Sequence, residues 1–222
     1  MKESYQAPHP WKVSVAEAIA IQERMRYSVE GQDRFGSLAN VAGIDTGFEE
    51  GGRLTRAAIV LLSLPDFDYL ESVAFRQETT FPYVPGLLSF REAPAVLEAL
   101  KTLQQKPDLL LCDGQGFAHP RRFGLACHIG VITGIPSIGV AKSVLIGEHA
   151  PIGGQRGDWQ PLTHAGEIIG AVLRTRVEAK PIIISIGHRI GLFSAVEMVM
   201  KCTPKYRIPE PLRRAHQLAS QR

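Results

Sequence analysis

Residues 107–122, PDLLLCDGQGFAHPRR, decide how the rest of the chain is read. Three leucines (Leu109, Leu110, Leu111) run up to Asp113, and glycines at 114 and 116 punctuate the turn beyond it. His119, Pro120, Arg121 and Arg122 then lead into a second apolar segment. A short apolar run bounded by turn signals reads as a buried strand. A carboxylate at its carboxyl end sits where open α/β sheets bind ligands. Aspartate is also an ordinary turn former, so Asp113 alone has two readings. A second acid tips the balance. Residues 41–48, VAGIDTGF, hold Asp45 inside a strand-like run, and acids are depleted in strand interiors unless something there needs them.

Working outward, the apolar positions Val96, Leu97, Leu100 and Leu103 predict a helix that Pro107 ends. Before it, residues 38–48, 55–64 and 69–78 read as three strands. The segments EEGGR and PDFD between them are reversal chemistry, so an antiparallel meander is expected. After Asp113 the pattern predicts a helix over 120–133 and a strand over 137–141. Three antiparallel strands followed by helix, strand, helix, strand give an α/β fold: a mixed five-stranded central sheet, first and fourth strands adjacent, flanked by helices.

Toward the N-terminus, Ser14 and Glu17 form a capping-box pattern, and Ala18, Ile21, Met25 and Val29 recur at helical spacing, predicting a helix over 15–28. Residues 1–13 read as an irregular arm. Beyond Lys142 comes a loop, then strand-like runs at 167–173 and 181–186, a helix over 192–201 and a basic tail over 203–222. With no linker separating two cores, residues 1–222 are read as one domain carrying a C-terminal extension.

Composition fits this picture. Of 222 residues 45% are hydrophobic and 21% charged, normal for a soluble chain with a real core. A net charge of +3 permits a polyanionic partner without requiring one. Cys112, Cys127 and Cys202 lack metal-site spacing and form an odd set, which points to reduced thiols and a cytoplasmic protein. No apolar run reaches membrane length.

The chemistry centres on acids. Glu92, in SFREAP, has two readings. With Ser89 it makes a capping box. Pro94 argues against that frame, because proline is comfortable as the first helical residue, which would leave Glu92 just outside the helix. Asp45, Asp113 and Glu92 then form a possible cluster, read either as a structural salt-bridge set or as ligands for Mg²⁺, with Mn²⁺ able to substitute. Adjacent buried carboxylates repel unless a cation offsets them, and hard oxygen ligands suit these ions. Such a site activates water for phosphodiester cleavage. Lys142, at the end of the next parallel strand, is placed to face a scissile phosphate.

Rival motifs fail. GIPSIGVAKS lacks the adjacent Gly-Lys of a P-loop, since two residues separate Gly139 from Lys142. GQGFAH lacks the last glycine of a dinucleotide fingerprint, and no nucleophile elbow occurs. Cys112 precedes Asp113, so strand alternation turns it to the opposite face. The loop Phe81, Pro82, Tyr83, Val84, Pro85, Gly86 holds an aromatic between two prolines. It reads either as a core tyrosine or as a wedge that enters a base stack. Gly86 and Gly114 would let backbone approach an extruded base.

At these residues the chain resembles the endonuclease V family of deoxyinosine-directed repair nucleases. The segments VAGIDTGFE, TRAAIVLL, PYVPGLLSFREAP, PDLLLCDGQGFAHPRRFGLACHIG, PSIGVAKS, GHR and YRIPEPLRRAH carry the resemblance, in order, across residues 40–216. It implies an RNase H-like fold and Mg²⁺-dependent hydrolysis of the second phosphodiester bond 3′ to an inosine, leaving 3′-hydroxyl and 5′-phosphate ends. The implied metal-binding acids fall on Asp45, Glu92 and Asp113, and the active-site lysine on Lys142. The motif histidines fall on His119 and His216, and the wedge on Pro82, Tyr83, Val84 and Pro85. A largely main-chain hypoxanthine pocket falls on Gly86, Leu88, Gly114, Leu125 and Gly139. His216 is read as catalytic or as a surface histidine, and His188 in GHR as structural or catalytic. His119, Arg121 and Arg122 are read as contacts to phosphate or supports behind the acids, with a solvated helix face as the other reading of the two arginines. Gln115 departs from the DGHG form of the motif. Inosine-containing DNA is the expected partner of a monomer that needs no membrane. Inosine in RNA is the alternative substrate, and a non-catalytic nucleic-acid binder is the competing class.

Overall fold

The computed structural model describes residues 5–220. Residues 1–4 of the expected arm and 221–222 of the expected tail lie outside them. Helix α1 (Val15–Met25) begins on the expected capping box: the Glu17 N–H donates to Ser14 Oγ at 3.3 Å and the Ser14 N–H to Glu17 Oε2 at 2.8 Å. A 3₁₀ turn carries the chain on to Ser28. Strands β1 (Asn40–Glu49), β2 (Leu54–Ser63) and β3 (Tyr69–Glu78) form the antiparallel meander. Helix α2 (Leu88–Thr102), strand β4 (Leu110–Asp113), helix α3 (Leu125–Thr133) and strand β5 (Ser137–Ala141) come next, with β1, β4 and β5 parallel.

The expected mixed five-strand sheet is present, and the C-terminal extension joins it. Strands β6 (Trp159–His164), β7 (Glu167–Leu173) and β8 (Ile182–His188) continue it in the order β3-β2-β1-β4-β5-β8-β7-β6. Strand β6 gives no clear strand signal in the sequence because Pro161 interrupts it. It is an edge strand, where a missing N–H is tolerated.

Helices cover both faces. On one, Ala93, Val96, Leu97 and Leu100 of α2 and Ala126 and Ile129 of α3 pack against Ala42, Ile44, Ile59, Leu61 and Cys112. On the other, helices α4 (Leu192–Lys201) and α5 (Glu210–Ser220) bring Ala195, Val196, Val199, Leu212 and Ala215 onto Val41, Val60, Leu62, Leu109 and Leu111. Cys112 lies fully buried in the first core, as strand alternation requires.

Three expectations are corrected. Pro94 lies inside α2, not at its start, so Glu92 is a helical residue; the N-cap is Leu87 with no side-chain bond, so Ser89 and Glu92 make no capping box either. Proline removes one N–H and crowds the carbonyl four residues back. Burial of Ala93, Ala95, Val96, Leu97, Ala99 and Leu100 around it nevertheless holds the helix on the sheet. Helix α3 starts at Leu125, not 120, because Arg122 adopts a left-handed φ of 57° that no right-handed helix can continue through. The basic stretch after residue 203 is not a plain tail. Its Arg213 and Arg214 both pair with Glu210, at 2.7 and 2.8 Å, while Leu212 and Ala215 enter the core. Close approach of α5 is possible because β1 has glycine at 43: a Cβ there would lie 2.1 Å from the Pro211 carbonyl oxygen.

Candidate active site

The β1–β4 register pairs Ile44 with Cys112. Asp45 and Asp113 are therefore the next residues on neighbouring parallel strands, on the face opposite those two core side chains. Helix α5 lies on that same face, and His216 Nδ1 donates to Asp45 Oδ2 over 2.7 Å. The Thr46 N–H donates to Asp45 Oδ1 at 2.8 Å. Strand β5 runs parallel to β4 with Val140 opposite Asp113, and just past its end Lys142 Nζ donates to Asp113 Oδ2 over 2.6 Å. Ligand-capable atoms of Asp45, Asp113 and His216 all lie within 4.8 Å of one another.

Glu92 reaches the same place from α2. Burial, above all, pushes its carboxyl up to about 8; a hydrogen bond from the Thr46 side chain opposes this, and the charges of Asp45 and Asp113 reinforce it. Asp45 is also raised, first by burial and then by Asp113, against the hydrogen bonds from His216 and Thr46. Glu92 is thus coupled to both aspartates but stands outside the trio that share the 4.8 Å spacing. Two carboxylates and an imidazole suit a divalent cation, whose charge would offset the repulsion that adds to burial in raising Asp45 and Glu92.

A cavity of about 170 Å³ opens beside the acids, lined by Gly86, Leu88, Ser89, Glu92, Asp113, Gly114 and Leu125 among others. Gly86 (φ +78°) and Gly114 (φ +150°) take conformations that side chains rarely adopt. Gly139 does not line this cavity. It lies in β5 beneath the turn, where a Cβ would come within 2.3 Å of the Gly116 nitrogen, so it lets the turn seat on the strand. At the rim Tyr83 is 68% exposed between exposed Pro82 and Pro85, while Phe81 is buried and anchors the loop. Tyr83 is therefore no core tyrosine.

His119, Arg121 and Gln22 fix that loop. Gln22 Nε2, His119 Nε2 and Arg121 Nη2 all donate to the Gly86 carbonyl, at 3.1, 2.9 and 2.7 Å. His119 Nδ1 accepts from the Arg121 N–H at 3.2 Å, which places the ring proton on Nε2. Burial, helped by the Arg121 charge, lowers His119 to about 4, so the ring is neutral near pH 7 and holds the Gly86 carbonyl through Nε2. Arg122 is likewise engaged within the protein. It is buried, with Nε on Glu167 at 2.7 Å, Nη1 on the His119 carbonyl at 3.0 Å and Nη2 on His164 Nδ1 at 3.0 Å. His188 is buried away from the acids' hydrogen bonds, and its Nδ1 accepts from the Glu30 N–H at 3.2 Å.

Sequence reasoning missed Gln22, Ser89 and Leu145, all at the cavity. Gln22 did carry a signal, as a polar residue on the buried stripe of α1 with Ala18, Ile21 and Met25. Gln115 donates from Nε2 to the Ser143 carbonyl at 3.1 Å, and its Oε1 is a buried acceptor without a donor among the described residues.

Acids side by side at the ends of adjacent parallel strands, on a sheet that begins as a meander and is covered by helices on both faces, define an RNase H-like nuclease. The chain belongs to the Endonuclease V family, whose sequence profile matches residues 22–217. It is similar to Endonuclease V of Trichormus variabilis, 56% identical over 216 residues, covering 97% of this chain and 98% of that protein. The crystal structure of Endonuclease V from Streptomyces avermitilis superposes with a TM-score of 0.90 at 41% identity, covering 98% of this chain and 96% of that one. Ciona intestinalis Endonuclease V, in complex with a 24mer DNA containing an inosine followed by a ribo-adenosine, matches with a TM-score of 0.81 at 27% identity, covering 92% and 95%. The chain is accordingly a nucleic-acid endonuclease, a hydrolase of DNA repair.

Proposed function

We propose that this chain cuts DNA at the second phosphodiester bond 3′ to a deoxyinosine, leaving 3′-hydroxyl and 5′-phosphate ends. The observation that carries this reading is the shared wall: Glu92 and Asp113 line the same cavity as Gly86, Leu88, Gly114 and Leu125. A base extruded into it lies beside the acids, and reading an extruded base in a pocket is how enzymes reach atoms hidden in a duplex. Tyr83 fills the gap left in the stack, with Pro82, Val84 and Pro85 stiffening its loop.

Asp45 and Asp113, with Glu92 behind them, would hold Mg²⁺, and Mn²⁺ would substitute. When bound, the ion activates water and neutralises charge at the scissile phosphate. Lys142 brings a cation to the same edge, half-exposed and directed at Asp113, where it meets a phosphate oxygen. His216 orients the Asp45 carboxylate and favours its ionised form against burial and Asp113. Gly86 and Gly114 bring main chain against the base, and Leu88 and Leu125 cover its faces. Carboxylates facing phosphate would weaken a protein that only binds nucleic acid, which favours a nuclease over a binder. We place the enzyme, as a monomer, in the cytoplasm, where its three buried unpaired thiols persist.

The experiment is a nicking assay on matched DNA and RNA strands carrying one inosine, with Mg²⁺, Mn²⁺ or chelator. DNA nicked at the second 3′ bond, with loss in Asp45→Ala and Asp113→Ala while both stay folded, is the expected result. Preferential cleavage of RNA would make the chain an inosine ribonuclease, and full activity in both variants would end the mechanism.

A further inference from the structure

Behind the cavity wall runs a line of three polar side chains. His9 and His128 are buried among Trp11, Phe90 and Phe123. His9 Nδ1 lies 2.9 Å from the Pro10 carbonyl oxygen, and His9 Nε2 lies 2.8 Å from His128 Nε2. His128 Nδ1 lies 3.0 Å from Ser89 Oγ. Burial lowers the pKa of both rings, that of His128 well below its ordinary value, so each is neutral with one N–H and one lone pair.

One end fixes the direction of the whole line. A carbonyl oxygen only accepts, so His9 carries its proton on Nδ1 and offers a lone pair at Nε2. His128 must then donate from Nε2, which leaves its Nδ1 as an acceptor. Ser89 has one O–H, and that nitrogen takes it. The Ser89 oxygen keeps only lone pairs, and Ser89 lines the cavity beside Gly86, Leu88 and Glu92. Without the Pro10 carbonyl either ring tautomer would serve, and the hydroxyl would be free to act as donor or acceptor.

We propose that Ser89 is a specificity-determining residue that shows the bound base an acceptor-only oxygen, with His128 and His9 as positioning residues that hold this polarity. The proposal rests on the inosine reading above. Hypoxanthine has an N–H at ring position N1, where adenine has a lone pair. An acceptor in the wall bonds the first and opposes the second, and a buried pair of facing acceptors leaves both unsatisfied. Sites built around a hydrogen bond discriminate strongly for this reason.

The test compares kcat/KM, with Mg²⁺, on strands that carry deoxyinosine, deoxyadenosine or deoxynebularine at one position. Nebularine has the N1 lone pair and no exocyclic group. Ser89→Ala should lower the inosine-over-nebularine ratio about tenfold, the scale of one hydrogen bond. His9→Phe, which leaves Ser89 in place, should lower it by a smaller factor as His128 regains both tautomers. An unchanged ratio in Ser89→Ala, with inosine still preferred by the unaltered chain, overturns this proposal and leaves the proposed function standing. An unaltered chain that does not prefer inosine overturns the function itself. A second readout needs no variant: ¹⁵N imidazole resonances of the full chain should place the proton on Nδ1 of His9 and on Nε2 of His128. The reverse assignment overturns the proposal.

Discussion

His216 Nδ1 donates to Asp45 Oδ2 across 2.7 Å, joining α5 to β1 over 171 residues of chain. The C-terminal helix is thereby a wall of the site and not an appendage to it. The contact also acts on the ionisation of Asp45, because burial and Asp113 raise that carboxyl while His216 opposes them.

Removing the imidazole should therefore push Asp45 further up. His216→Ala is expected to lower kcat/KM by roughly tenfold near neutral pH, on the scale of a lost charge-assisted hydrogen bond. Because the variant needs a higher pH to ionise Asp45, the acid limb of its pH–rate profile should move to higher pH. A profile lowered uniformly, with no shift of that limb, would show that His216 acts in some other way.

Glu92 makes a stability prediction. Its carboxyl is raised from 4.5 to about 8 in the folded chain. Its contribution is fully present below pH 4.5 and is lost as pH rises toward 8, at roughly 1.4 kcal/mol per pH unit. Without metal, Glu92→Gln should thus be the more stable protein at pH 8, with the gap closing toward pH 4.5. Mg²⁺ should raise the melting temperature of the unaltered chain more than that of the variant, because binding to the folded state stabilises it. Denaturant melts at the two pH values check the first prediction, and thermal melts with and without Mg²⁺ check the second.

Tyr83 is 68% exposed, so Tyr83→Ala should leave stability within about 0.5 kcal/mol. Inosine-DNA affinity should fall by ~1–3 kcal/mol, the range for a base stacked on an aromatic ring. Equal loss on undamaged DNA would point to general contact, and no loss would remove the wedge.

His119 gives the opposite pH sign to Glu92. Its pKa falls from 6.5 to about 4 on folding, so its contribution is intact above pH 6.5 and is lost as pH drops to 4. His119→Asn should cost about 1 kcal/mol at pH 7 through the weakened bond to Gly86. The gap from the unaltered chain should close within about one pH unit below 6.5 and reverse in sign by pH 4, at up to roughly 1.4 kcal/mol per pH unit. A constant gap would mean that the ring is not buried neutral.

Much of this was legible in the chain alone. Local patterns determined the meander, the capping box on α1, the strand that delivers Asp113 and the opposite placement of Cys112, because strand alternation and cap chemistry act over a few residues. The motifs carried the family, and with it the neighbouring aspartates and the lysine beside them. The sequence misjudged Pro94 and the start of α3, where tertiary packing outweighed one local signal and an unreadable backbone angle at Arg122 set the boundary. Tertiary structure alone seated α5 on Gly43, committed Arg122 to Glu167 and His164, and moved Gly139 from the cavity wall to the floor beneath its turn. It alone set the proton order from Pro10 through His9 and His128 to Ser89. Such contacts depend on which distant side chains share a wall, and burial then decides their charge, which no pattern of neighbours along the chain contains.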